Sequence, residues 1–149
     1  MAIETERKFL VKGEFKSSVF KKYQIAQYYL ITDPTKTIRL RIRDNEAFLT
    51  IKGKPKKGSI ARNEWEFIIP LADAEDMIKI CIPGKIVKTR YLVKAGNHIF
   101  EVDEFHDKNE GLIIAEIELK SEDEVFEKPE WLGEEVTGIP EYYNANLIK

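Results

Sequence analysis

Charged and apolar side chains alternate along most of this chain, and this alternation restricts its fold more than any other feature. Successive side chains of a β-strand point to opposite faces, so residues two apart share a face. One segment shows the pattern plainly, with arginines on one face and aliphatic residues on the other: Ile38, Arg39, Leu40, Arg41, Ile42 and Arg43. The pattern predicts strands that carry one charged and one apolar face.

Several segments bounded by turn residues share this period of two, and each predicts a strand. Short links such as Asp44-Asn45 and Gly96-Asn97 favour antiparallel hairpins between neighbours. Strands so closely spaced predict a mainly β (α+β) fold in which eight antiparallel strands form a closed barrel. The predicted strands are residues 3–11, 25–32, 36–43, 46–53, 60–69, 86–95, 98–105 and 112–120.

A few flanking helices are expected in the remaining gaps. Apolar residues at helical spacing predict one helix over 15–23, and Asp73 is a candidate cap for a second helix that carries Met77, Ile78 and Cys81. The tail, 140–149, is expected to form a last helix that closes part of the structure. Because no Ser/Gly-rich linker or repeat interrupts the chain, residues 1–149 are interpreted as a single domain.

The composition narrows the classes of protein to consider. The 149 residues include 24 Lys and Arg against 26 Asp and Glu, a balance that disfavours a broadly basic nucleic-acid-binding surface. A mean hydropathy of −0.37, without an apolar run near ~20 residues, predicts no membrane span. With Cys81 as the single cysteine and a charged N-terminal segment in place of a signal peptide, the cytoplasm is the expected compartment.

The charged faces are unusually rich in ionic groups. A sheet face that meets only water also alternates, but it normally includes Ser, Thr, Gln and Asn, whereas these positions are nearly all Arg, Lys, Glu or Asp. Rows of arginine match phosphate oxygens, and carboxylates two apart supply the oxygen ligands that Mg²⁺ or Mn²⁺ prefers. The pattern therefore indicates metal–phosphate chemistry, but alternation leaves open whether the charged face points into the barrel or out of it.

The N-terminal motif Glu4-Thr5-Glu6-Arg7-Lys8 opens an ordered series of charged motifs. The series resembles the signature of the CYTH superfamily, the triphosphate tunnel metalloenzymes, over essentially the whole chain. Its further members are Gln27 with Tyr29-Leu30, Arg39-x-Arg41, Thr50-x-Lys52, Arg62-x-Glu64-x-Glu66, Lys88-x-Arg90, Glu101-x-Asp103 and Glu116-x-Glu118, followed by matches between Trp131 and Leu147. The resemblance implies a single CYTH domain over 1–149, in which the charged face of an eight-stranded barrel lines a central tunnel.

The resemblance also implies roles for individual residues. One divalent ion, Mg²⁺ or Mn²⁺, would be bound by Glu4, Glu6, Glu116 and Glu118, and a second by residues such as Glu64 and Asp103. Phosphate oxygens would be bound by Lys8, Arg39, Arg41, Lys52, Arg62, Lys88 and Arg90. Lys8 and Tyr29 are the candidates to orient or deprotonate the attacking water.

The short bacterial members that this chain resembles hydrolyse inorganic triphosphate, which predicts a phosphoanhydride hydrolase releasing pyrophosphate and phosphate. Within the same family, an adenylate cyclase or a thiamine or nucleoside triphosphatase remains an alternative. A sensor that binds polyphosphate or a nucleotide without catalysis is another. Because binding a polyanion does not require so many carboxylates, the acidic positions favour the enzyme. The expected partner is a small triphosphate-containing molecule, with neither nucleic acid nor membrane, and a homodimer is left open.

Overall fold

The chain folds into one antiparallel sheet, in a computed structural model that describes residues 2–148. The fold is mainly β, with one α-helix among the described residues, α1 (Leu71–Ile78). The ten strands within residues 2–148 are β1 (Ala2–Glu4), β2 (Glu6–Val11), β3 (Val19–Asp33), β4 (Lys36–Arg43), β5 (Glu46–Gly53), β6 (Arg62–Ile69), β7 (Ile86–Ala95), β8 (His98–Phe105), β9 (Ile113–Glu118) and β10 (Leu132–Glu135). Short 3₁₀ turns occupy Lys16–Ser18, Asp107–Asn109, Pro140–Tyr142 and Asn144–Asn146.

The strand order in the sheet is β1-β6-β5-β4-β3-β7-β8-β9-β2-β10. Only Thr5 separates β1 from β2 in the chain, yet β1 pairs with β6 and β2 pairs with β9. The register places Glu4 opposite Arg62 and Lys8 opposite Glu116. The segment 2–11 therefore pairs with β6, near one end of the strand order, and with β9, near the other end.

All eight predicted segments contain strands, but the predicted count of eight is wrong for two reasons. The first segment is divided at Thr5, which belongs to neither strand, because the residues before it pair with β6 and those after it pair with β9. The second reason is β10, which pairs with β2 and is too short to show alternation. Gly133 permits that pairing, because a Cβ there would lie 2.7 Å from the Leu10 carbonyl oxygen.

The predicted helix over 15–23 is also wrong, because Val19–Asp33 forms one long strand. The first half of β3 pairs with β7, placing Tyr23 opposite Arg90, and pairing with β4 begins only at Ile25. Hydrogen bonds to β7 satisfy the backbone N–H and C=O groups of this segment, as a helix would also do. A short apolar spacing therefore does not discriminate between a helix and a strand here. The second predicted helix is present as α1, but it ends at Ile78, before Cys81.

The C-terminal tail forms two 3₁₀ turns instead of the predicted helix, and Lys149 lies outside the described residues. Leu147 is buried against Tyr29, Ile86 and Phe105. The Asn109 side-chain amide donates to the Leu147 carbonyl at 2.7 Å. These contacts hold the tail against one end of the sheet, in agreement with the expectation that it closes part of the structure.

The larger apolar core lies between the outer face of the sheet and the segments that cross it. Phe100 on β8 packs edge-on against Phe126 and Trp131, with ring centroids 6.0 and 5.2 Å away. Phe9 on β2 adds a further edge contact to Phe126. Since the apolar face packs here, the charged face lies on the other side of the sheet. Within residues 2–148, no helix has the length and apolar character needed to cross a membrane.

Candidate active site

The charged faces of the strands surround a cavity of about 300 Å³. Every strand except β10 contributes a lining residue, so the charged face points inward, as the family resemblance implied. Nine residues predicted for the site line this cavity: Glu4, Glu6, Arg39, Arg41, Lys52, Glu64, Arg90, Glu116 and Glu118.

The other five predicted residues lie nearby. Lys8, Tyr29 and Arg62 line an adjoining space of about 40 Å³ that shares Arg39 and Lys52 with the main cavity. Lys88 and Asp103 are fully buried beside Arg90. The structure therefore brings all fourteen predicted residues into one region.

Three carboxylates converge on the cavity, from Glu6, Glu101 and Glu116, with one oxygen of each within 4.8 Å of the others. Burial, together with Glu116 and Glu4, raises the pKa of Glu6 well above its usual range. Burial opposes ionisation of Glu116 as well, but Lys8, a hydrogen bond with Glu6, and Arg90 keep its pKa well below its usual range. The two pKa values are shifted in opposite directions, as expected where carboxylates are crowded together.

Glu101 is the member of this cluster that the predicted metal ligands did not include. It faces Glu116 in the β8–β9 register and shares a strand face with Asp103. The Glu101-x-Asp103 alternation already placed Glu101 on a charged face, but only the register between β8 and β9 shows that Glu116 is its neighbour.

Glu4 lies among cations rather than in the three-carboxylate cluster. Lys52 Nζ donates to both of its oxygens, at 3.0 and 3.1 Å, and Arg62 Nε lies 3.6 Å away.

Burial raises the pKa of Glu64 to about 7, with Glu4 adding to the effect. Glu118 lines the cavity but is exposed to solvent, so it lies near an opening.

Asp103 forms the most deeply buried ionic network of the site. Its Oδ2 accepts from Lys88 Nζ at 2.7 Å and from Arg90 Nη2 at 2.9 Å, and its Oδ1 accepts from Arg90 Nε at 2.8 Å. Burial lowers the pKa of Lys88 to about 7, although Asp103 opposes this shift. Arg90 also reaches Glu101 at 3.1 Å, which links the network to the carboxylate cluster.

Arg39 and Arg41 have no carboxylate partner among residues 2–148. Arg41 donates to the Gln27 side-chain oxygen at 3.1 and 3.0 Å, while Gln27 Nε2 and Arg39 Nε are buried without a hydrogen-bond partner. Burial, with Arg39 and Arg90 close by, lowers the pKa of Arg41 to about 9. Buried donors without acceptors are costly, so this side of the cavity is suited to an anion that supplies oxygens.

The C-terminal tail completes one end of the site. Lys8 Nζ donates to the Tyr142 carbonyl at 3.3 Å and lies 4.0 Å from Glu116. Lys88 Nζ donates to the Asn144 side-chain oxygen, also at 3.3 Å. Asn144 lines the main cavity, and only its place in the fold brings it there.

The fold and the cavity define a class of protein, in which a mainly β chain encloses a pocket lined by opposed rows of acids and bases. Residues 2–148 match the family model of the CYTH domain. The chain belongs to the CYTH family.

Two curated relatives cover nearly the whole chain. An inorganic triphosphatase of Acetivibrio thermocellus is 42% identical over 150 residues, spanning 100% of this chain and 95% of the relative. An inorganic triphosphatase of Nitrosomonas europaea is 36% identical over 149 residues, spanning 97% of this chain and 95% of the relative. Among solved structures, the inorganic triphosphatase NE1496 superposes with a TM-score of 0.69 at 33% identity, over 97% of each chain.

Proposed function

We propose that this protein hydrolyses inorganic triphosphate to pyrophosphate and phosphate in its central cavity. The observation that carries the proposal is the placement of Arg39 and Arg41, which have no carboxylate partner within residues 2–148, in the same cavity as the cluster of Glu6, Glu101 and Glu116. Two relatives that cover nearly the full chain are inorganic triphosphatases, which supports the same substrate.

The basic side chains would bind the substrate oxygens from several sides. Arg39, Arg41 and Arg90 point into the main cavity, and Lys8 and Arg62 approach from the adjoining space. Guanidinium groups pair with phosphate in a bidentate manner and stay charged at neutral pH. Cations fixed in this way stabilise the negative charge that develops as the terminal anhydride bond breaks.

The carboxylate cluster fits a divalent cation, because Glu6, Glu101 and Glu116 present oxygens close together in a site that is crowded with negative charge. We infer that these three residues hold Mg²⁺ or Mn²⁺, with Glu4 and Glu118 nearby. When bound, such an ion would polarise a phosphoryl oxygen and offset its charge. Glu64 remains the candidate for a second ion, whereas both oxygens of Asp103, the other predicted ligand, already accept from Lys88 and Arg90.

Lys8 and Tyr29 remain the proposed residues for orienting the attacking water. Both are buried, and both line the adjoining space beside Arg39. The Tyr142 carbonyl limits the positions open to the Lys8 ammonium group. A group fixed in this way can orient a water against the terminal phosphate with little loss of entropy.

The pairing of segment 2–11 with both ends of the sheet order supports a closed barrel, in which the cavity is a tunnel. We infer this closure because strands joined through a single residue cannot lie far apart. A cytoplasmic location stays a prediction from the sequence, which leaves a homodimer open.

A phosphorus NMR assay of the purified protein with Mg²⁺ or Mn²⁺ tests the proposal. Inorganic triphosphate should yield pyrophosphate and phosphate with a higher kcat/KM than ATP, and chelation should stop the reaction. Arg41→Ala should lose activity, while Lys94→Ala, at an exposed position of β7, serves as the matched control. Cyclic AMP with pyrophosphate from ATP would establish a cyclase instead, and binding without any product would establish a sensor.

A further inference from the structure

Arg43 continues the arginine row of β4, but the predicted set of phosphate-binding residues did not include it. It shares a strand face with Arg39 and Arg41, and all three line the main cavity. Exposure increases along the row, from 6% for Arg39 to 33% for the Arg43 side chain. The row therefore leads from the buried interior to an open end of the cavity.

The Arg43 guanidinium lies between two aromatic rings. Its Cζ is 4.5 Å from the ring centroid of Tyr23 and 4.9 Å from that of Phe48. Cation–π contacts of this kind restrict a side chain that would otherwise be flexible. With both rings this close, the Arg43 guanidinium is held near one position beside the cavity.

The terminal edge of this guanidinium, formed by Nη1 and Nη2, is the part that an acceptor can reach, because Nε is buried. Arg43 Nη2 donates to Glu46 at 3.2 Å, whereas Nε is buried without a hydrogen-bond partner. Phe48 is 7% exposed, and the ring of Tyr23 has both Arg43 and Lys21 close by, at 4.5 and 5.1 Å. This end of the cavity thus offers edge donors for an anion, with little free aromatic surface on which a base could stack.

We propose that Arg43 is a specificity-determining residue, which binds the outer terminal phosphate of inorganic triphosphate and thereby favours it over a nucleoside triphosphate. This inference rests on the proposed function. The outer phosphate of the inorganic chain has three non-bridging oxygens and a second ionisable proton, whereas the corresponding phosphate of a nucleoside triphosphate is a singly charged ester. The guanidinium of Arg43 would therefore bind the outer phosphate of inorganic triphosphate more strongly than the ester phosphate of a nucleoside triphosphate.

The position of Arg43 along the strand agrees with this role. Four residues of a strand rise about 13 Å, so Arg39 and Arg43 start from well-separated points and can approach opposite ends of a short polyanion. Arg41 lies between them, level with Gln27 in the register.

The test compares kcat/KM for inorganic triphosphate and for ATP in wild type, Arg43→Met and Arg43→Lys. Arg43→Met keeps a long side chain between Tyr23 and Phe48 but removes every donor. It should lower kcat/KM for inorganic triphosphate about tenfold or more, mainly through KM, as expected for the loss of a charge-assisted hydrogen-bonded pair. The value for ATP should change by less than about twofold, because the ester phosphate gains little from Arg43.

Arg43→Lys should recover only part of the preference, because an ammonium group cannot form the bidentate contact. Lys21→Ala is the matched control, since it removes a cation from the same Tyr23 ring at an exposed position that does not line the cavity. It should leave both kinetic constants unchanged.

Equal losses for the two substrates would overturn the inference, because they would show that Arg43 only holds the two rings in place. An Arg43→Met variant whose kcat/KM for inorganic triphosphate equals that of the wild type would overturn it as well. Wild-type protein that does not hydrolyse inorganic triphosphate would instead refute the proposed function, so the two failures are distinguishable. Thermal melting of each variant verifies that the kinetic comparison is made on folded protein.

Discussion

Replacement of Asp103 by asparagine should strongly destabilise the protein. The substitution preserves shape and volume, so it creates no cavity and changes mainly the charge. Wild-type Asp103 is fully buried and accepts hydrogen bonds from Lys88 and Arg90 at 2.7 to 2.9 Å. Arg90 retains a contact with Glu101 at 3.1 Å and Lys88 retains one with the Asn144 side-chain oxygen at 3.3 Å. The single amide oxygen of the new side chain is uncharged and cannot accept from all the donors that the two Asp103 oxygens bind.

The expected magnitude follows from this burial. Breaking a buried ion pair from one side costs about 3–5 kcal/mol, because the remaining charge stays buried without its partner. For a chain of this length, each kcal/mol lowers Tm by roughly 2–4 °C, so the melting temperature should fall by about 6–20 °C. Urea unfolding in metal-free buffer at neutral pH, followed by tryptophan fluorescence, gives the free energy of unfolding directly.

Glu104→Gln is the matched control on the same strand. Glu104 accepts from the Tyr91 hydroxyl at 3.2 Å and pairs with Lys16 at 3.5 Å, where both charged side chains are partly exposed. A pair of this kind contributes no more than about 1 kcal/mol. If Asp103→Asn and Glu104→Gln lose similar, small amounts of stability, the buried network does not hold the site together and the reasoning is refuted.

Three further perturbations test other parts of the site. Glu116→Gln should abolish turnover of inorganic triphosphate while the circular dichroism spectrum stays native, because it removes one carboxylate of the cluster with Glu6 and Glu101. A variant with wild-type kcat would show that the Glu116 carboxylate is not needed for turnover. Inorganic triphosphate should stabilise the wild type by about 2.7 kcal/mol at one hundred times its Kd, and Arg41→Ala should reduce this gain in calorimetry, whereas an undiminished gain contradicts a binding role. In metal-free protein the pKa of Glu64 is raised from 4.5 to about 7, so between these two pH values the native state binds more protons than the unfolded chain. The free energy of unfolding should therefore fall as the pH rises from 4.5 to about 7. Glu64→Gln should flatten that slope in urea titrations across the same pH range, and an unaltered slope would assign it to another group.

Local patterns identified much of the fold. Because side chains alternate along a strand, residues two apart reveal a shared face without any knowledge of the neighbouring strands. The predicted bounds 36–43, 46–53, 86–95 and 98–105 coincide with β4, β5, β7 and β8. The same pattern, with the family resemblance, identified nine of the residues that line the main cavity.

Where the local pattern was short or ambiguous, tertiary contacts decided the outcome. Phe15, Val19 and Phe20 fit a helical spacing, yet hydrogen bonds to β7 extend β3 through this segment. β10 forms because β2 lies beside it and Gly133 allows close approach. Such pairings depend on partners 59 to 126 residues away, and no local window contains them.

The neighbours of each charged group were likewise beyond the reach of the sequence alone. Alternation identified Glu6, Glu101 and Glu116 as members of charged faces, but only the register of β2, β8 and β9 brings them to one point. Asp103 shares a face with Glu101, yet Lys88 and Arg90 occupy both of its oxygens. A charged face is determined by spacing within one strand, whereas an ion pair or a metal site depends on the free energy of many long-range contacts that set how strands lie beside one another.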